Sequence, residues 1–129
     1  MILPQTRFKC VITFNSNKSQ AQITNFLNNT VKTPFEAKIN QILTANFVSY
    51  SLGFKYKLIN LGGGVWQIYP KFFFSGETNL TANQLATGIS NLLAELKTIL
   101  KTNFESNGAT NVNFHIQYLD GRAKASDET

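Results

Sequence analysis

The stretch FKYKLINLGGGVWQIYPKFFF occupies residues 54–74, and its division into strands and turn decides the fold. Lysines alternate with aromatic and aliphatic residues, three glycines interrupt the run, and three phenylalanines close it. From 47 to 60 the period is two: Val48, Tyr50, Leu52, Phe54, Tyr56 and Leu58 share one face, opposite Ser49, Ser51, Gly53, Lys55, Lys57 and Ile59. Such alternation marks a half-buried strand. Glycine tolerates the positive φ that tight turns demand, so LGGGV reads as the turn of a β-hairpin. The returning strand runs from Val65 into KFFF, with Trp66 and Ile68 on one side and Gln67 and Tyr69 on the other. Pro70 lies within that strand. Proline gives no N–H to a ladder, which predicts either a bulge there or an edge position. A bulge would reverse which of Phe72, Phe73 and Phe74 face the core.

Outward from the hairpin, residues 7–14 (RFKCVITF) alternate cleanly, with Phe8, Cys10, Ile12 and Phe14 pointing one way. Asn17 and Gln20 are spaced as a capping-box variant, and Ile23, Phe26, Leu27 and Val31 follow at helical spacing. Thr33, Pro34 and Glu36 predict a fresh helix start, followed by Phe35, Ile39, Ile42 and Leu43 on one face. The two helices are therefore expected to be separate, joined near Lys32. On the C-terminal side, Thr81 and Gln84 cap a long helix with an apolar stripe at Leu85, Ile89, Leu92, Leu96 and Ile99 or Leu100. Gly88 within it suggests close packing on the sheet, and Gly108 a stop. The last strand, NVNFHIQYL, alternates Val112, Phe114, Ile116 and Tyr118 against Asn113, His115 and Gln117.

The element order is β-α-α-β-β-α-β. It predicts an α+β two-layer sandwich, a four-stranded, mainly antiparallel sheet with helices on one face, in the ferredoxin-like order with an extra helix. Residues 1–119 are expected to form a single α+β domain and 120–129 a polar C-terminal tail.

The 129 residues suffice for a core without disulfides or metal. One cysteine, the lack of a secretory signal and the lack of a long apolar run suit a cytoplasmic protein, in a host cytoplasm or virion if viral, with no membrane role. Fifteen asparagines, with abundant Lys, Ile and Phe, reflect AT-rich codons and hint at a phage, an archaeal virus or a low-GC microbe. The net charge of +5 is unevenly placed. Residues 1–76 carry eight basic groups against Glu36 alone, whereas the remainder carries four basic and six acidic groups. Such asymmetry suits an anionic partner or complementary ends in a self-assembly.

Reactive chemistry is sparse. Cys10 and His115 could be neighbours across strands, but their parity sends them to opposite faces. No His/Cys/Asp/Glu set has metal-ligand spacing, no cofactor motif is visible, and LGGG joins two strands where a phosphate loop leads into a helix. The expectation is a non-enzymatic assembly or interaction protein, either a homo-oligomer or a subunit contacting neighbours in a larger particle. The alternative is a single-stranded nucleic-acid-binding module. Both readings use the sheet face turned away from the helices. There parity places Lys9, Lys55, Lys57, Tyr69, Lys71, Phe73 and His115, lysines for phosphates and rings for stacking. Val11, Ile59 and Val65 join them, more apolar surface than an open face usually carries, which predicts that something covers it.

Overall fold

The computed structural model of the chain describes residues 1–119; the tail expected at 120–129 lies outside the described residues. Four strands, β1 (Ile2–Asn15), β2 (Ser49–Gly62), β3 (Val65–Glu77) and β4 (Thr110–Leu119), form one antiparallel sheet in the order β2-β3-β1-β4. Helices α1 (Gln20–Phe26), α2 (Lys32–Asn46) and α3 (Ala82–Ser106) pack on one side of it. This is the α+β two-layer sandwich that the element order predicts.

β3 is central and Pro70 sits inside it, without a bulge and away from any edge. Against β2 the register runs unbroken from Ser49 to Asn60, with Tyr56 opposite Pro70. Against β1 the pairing lapses at Cys10 and Val11 yet stays in phase, since Lys9 faces Lys71 and Ile12 faces Ile68. The missing N–H thus removes a rung on one side while the β2 ladder holds the strand straight. With phase preserved, Trp66, Ile68, Pro70, Phe72 and Phe74 all turn inward and are buried. Phe72 stacks on Phe8 with centroids 5.1 Å apart, and Phe35 of α2 meets it edge-on at 5.8 Å. The hairpin reverses through Gly62, Gly63 and Gly64, whose φ values of 85°, 63° and 79° explain the run of glycines.

The helix layer departs from the expected break near Lys32. Ser19 caps α1, and Gln22 completes the box, so the start lies two residues beyond Asn17. The chain then passes into α2 through a π turn, Leu27–Val31, in which the Lys32 N–H reaches back to the Leu27 carbonyl. Pro34 falls in the first turn of α2 and cannot bond the carbonyl of Thr30. The side chain of Asn103, on α3, donates to that carbonyl at 3.5 Å. A widened turn and a borrowed donor thus satisfy a proline that local rules read as a new helix start.

α3 begins at the Thr81–Gln84 box as expected and lays Leu85, Leu92, Leu96, Leu100 and Phe104 on the core. Phe104 extends the expected stripe and is fully buried against Phe14 and Phe26, each 4.8 Å away between centroids. Lys38 and Glu95 pair at 3.0 Å between α2 and α3. Val48, expected on the inner face, precedes β2 and is exposed. β1 reaches back to Ile2, past a register shift between Leu3 and Thr6 that the alternation of residues 7–14 does not reveal. Thr78, fully buried, donates to the Asn46 carbonyl at 2.6 Å and ties the end of β3 to the end of α2.

Gly88 does not pack closely on the sheet. A Cβ there would meet nothing within 4 Å, because the residue borders a cavity of about 110 Å³ between α2 and α3, lined by Ile42, Phe47, Phe74 and Leu92. Gly88→Ala therefore gains helix propensity without a clash and should stabilise the fold by about 1 kcal/mol, raising Tm by about 4 °C. Thermal unfolding followed by Trp66 fluorescence checks this; a lowered Tm would mean that the position is packed.

Candidate functional site

The unbroken phase of β3 also fixes what the other side of the sheet presents. Odd-numbered positions of β2, β3 and β4, and of β1 from Arg7 onward, turn away from the helices, and the cross-strand pairing arranges them in rows. Lys55, Lys71 and Lys9 stand directly opposite one another across β2, β3 and β1, with Gln117 of β4 next in line. One row along, Lys57 faces Tyr69, and Val11 faces His115. One row in the other direction, Gly53 faces Phe73, which faces Arg7.

Five of the seven expected site residues, Lys9, Lys55, Tyr69, Lys71 and Phe73, therefore form one contiguous patch. Lys57 adjoins it beside Tyr69. His115 is exposed on the edge strand β4, separated from Tyr69 by β1. Arg7, of the same parity as Lys9 and opposite Phe73, belongs to the patch as well.

The patch is more consolidated than alternation alone conveys. Lys9 Nζ lies 4.5 Å from the Tyr69 ring centroid, a cation–π contact. The Tyr69 hydroxyl donates to Gln67 Oε1, and Gln67 Nε2 donates to Thr13 Oγ1 at 3.2 Å, which fixes the ring. Lys71 is 7 % exposed, enclosed by its neighbours. Arg7, Lys9, Lys55 and Lys71 are each engaged in an interaction. Val11, Ile59, Val65, Tyr69 and Phe73 are all half-buried. The exposed large apolar residues among those described, Met1, Ile2, Val48, Leu61 and Tyr118, lie at strand ends or the hairpin tip. The centre of the face is thus basic and folded upon itself, where alternation had suggested exposed apolar surface.

Gly53 has a specific reason for its identity. The Phe73 ring lies over it so closely that a Cβ at residue 53 would run into the ring. Ring and glycine border a cleft of about 230 Å³ whose polar lining comes from Gln5, Ser51 and Ser75. Gln5 shares the odd parity of Arg7 and Lys9 but lies in the part of β1 before residue 7, outside the alternating stretch 7–14.

On the helix side, Tyr56 donates to Glu36 at 2.6 Å beneath Lys32, whose Nζ lies 4.8 Å from the ring centroid. Burial, then the bond to Glu36, pushes the Tyr56 phenol upward. Cys10 is fully buried in the core, and His115 is exposed on the opposite face, so the two do not meet. Among the described residues no three His, Cys, Asp or Glu side chains gather for a metal, and no helix is long and apolar enough to cross a membrane.

Two measurements probe this geometry. Gly53→Ala should displace the Phe73 ring and cost about 1 kcal/mol. The cost should shrink when Phe73→Ala is already present, which a double-mutant cycle in urea detects. Burial also pushes the Cys10 thiol up from 9.0 to about 12. The unfolded chain releases this proton above pH 9.0 while the folded protein keeps it, so the stability present below pH 9.0 is lost progressively as the pH climbs toward 12. Urea midpoints should fall over that window, and less steeply in Cys10→Val.

No known protein family matches the sequence, and no curated protein does. Solved structures resemble it in shape. The de novo designed protein Foldit4 is similar at 8% identity, with 90% of this chain and 97% of that chain covered and a TM-score of 0.42. A putative aminohydrolase from methicillin resistant Staphylococcus aureus aligns over 92% of this chain and 30% of its own, at 11% identity and TM-score 0.50. An amidase of the hydantoinase/carbamoylase family from Burkholderia multivorans aligns over 92% and 28%, also at 11% identity and TM-score 0.50. The chain spans less than a third of either hydrolase, and at such identities the likeness is one of fold alone.

Proposed function

We propose that the protein is a non-enzymatic interaction protein that docks an anionic partner on the open face of its sheet, as a subunit or accessory of a larger assembly. The observation that carries this reading is the Lys55–Lys71–Lys9 row. The row makes the middle of this face a concentration of positive charge, and Arg7 and Lys57 in the adjoining rows extend its field toward an anionic surface.

The same row weighs on how the chain would meet a second copy. A two-fold, face-to-face pair would set one lysine row against another. A head-to-tail contact would need carboxylates from elsewhere on the chain. Among the described residues Glu36 is bonded to Tyr56 and Glu95 is paired with Lys38. The charge on this face therefore weighs against a two-fold, face-to-face pair.

Light scattering at micromolar concentration, with and without single-stranded oligonucleotide or polyglutamate, tests the reading. The expected result is a complex with a polyanion that weakens as salt rises. With an oligonucleotide, Lys55→Ala combined with Lys57→Ala should reduce the slope of log K against log salt by about 1.4. Salt-independent binding, or none to either polyanion at low salt, removes the proposal. A defined oligomer formed by the protein alone would favour homomeric assembly instead.

A further inference from the structure

We infer that the cavity between α2 and α3 is a binding site for a small uncharged molecule built of one aromatic ring and a hydroxyl group. The inference is independent of the docking proposed for the open face, since this cavity lies in the helix layer on the other side of the sheet.

Size, lining and charge each narrow the occupant. The cavity holds about 110 Å³, and Leu43, Phe74, Leu85 and Leu92, all buried, form its floor. An apolar cavity of about 150 Å³ stays dry and takes benzene, so one ring, with its substituent left in the mouth, matches this space. Phe47 and Phe74, already edge-on at 5.9 Å, supply the aromatic neighbours that a ring prefers. Among the described residues no Asp, Glu, Lys, Arg or His lines the cavity, so a charged group seated there would lose its hydration without a counter-charge.

The polar side chains of the lining, Asn46 and Gln84, are both exposed and therefore mark the mouth. Gln84 accepts the Thr81 N–H with its Oε1 at 2.9 Å, which leaves its Nε2 to donate. Asn46 donates Nδ2 to the Ile42 carbonyl at 2.8 Å, which leaves its Oδ1 to accept. A hydroxyl both accepts and donates, so a single one answers both amides. Gly88 is a separate observation pointing the same way. Glycine inside a helix is costly relative to alanine, and a Cβ here would meet nothing within 4 Å, so packing does not require it. What the glycine does is keep the cavity wall clear, because a long side chain at this position would take up the space.

Isothermal titration calorimetry with phenol, benzene, benzoate and N-acetyl-leucinamide tests the assignment. Phenol should bind about threefold or more tightly than benzene, the share of one hydrogen bond, and benzoate should not bind. Gly88→Leu should abolish phenol binding. In amide NMR spectra of the unaltered protein, the shifts caused by phenol should centre on Phe47, Gly88 and Ile89 and spare β4, which keeps the test available if Gly88→Leu fails to fold. No binding of phenol at millimolar concentration, or shifts scattered over the surface, overturns the inference. Benzoate bound as tightly as phenol overturns the uncharged class, and N-acetyl-leucinamide bound more tightly than phenol overturns the small molecule in favour of a partner's side chain. None of these outcomes bears on polyanion binding at the open face.

Discussion

The constraint on which the rest of the structure depends is the continuous phase of β3 through Pro70. A proline in the central strand forfeits a rung toward β1, yet the register on both sides is that of an unbroken strand. Because side chains alternate strictly along a strand, a slip of one residue here would exchange the two faces from Pro70 onward. Phe72 and Phe74 would leave the core, and Lys71 and Phe73 would enter it. The stacked Phe8–Phe72 pair and the edge-on contacts of Phe35 and Phe47 fill the inner face only in the observed phase. Aromatic packing on one side and the β2 ladder on the other therefore hold the strand in register where its own backbone cannot.

The helices answer the same demand for continuous cover over the sheet. A clean break near Lys32 would leave helix ends with unmet backbone groups within the helix layer. The chain instead runs from α1 through a π turn into α2. The carbonyl that Pro34 cannot serve is reached by Asn103, so the long helix α3 supports its neighbour by a polar contact as well as by Phe104. One apolar cluster consequently draws on β1, β3, β4 and every helix, with β2 half-buried against it as an edge strand should be.

With the inner face filled, the outer face inherits the charge. The basic excess of the first 76 residues gathers on one surface because Arg7, Lys9, Lys55, Lys57 and Lys71 all share odd parity on three adjacent strands. Long basic side chains of this kind carry apolar stems that suit such a face. This explains why a face that reads as partly hydrophobic in one dimension is a consolidated basic patch in three. The lone aromatic ring supported by a glycine and the cleft beside it distinguish one end of the patch from a merely solvated surface.

Period-two alternation, capping residues and the glycine turn sufficed to determine the element order, the α+β class, the inner faces of the strands and the candidate residues of the outer face. These are local properties, set by side-chain direction and backbone φ. The tertiary structure decided matters that depend on distant partners. It chose between a bulge and a straight strand at Pro70, because the ladder to β2 and the aromatic core lie outside the local sequence. It joined α1 to α2, because the donor that relieves Pro34 stands on α3, 73 residues from Thr30. It also set Lys9, Lys55 and Lys71 side by side and Phe73 on Gly53, because cross-strand register is a property of pairs of strands, and no single stretch of sequence contains it.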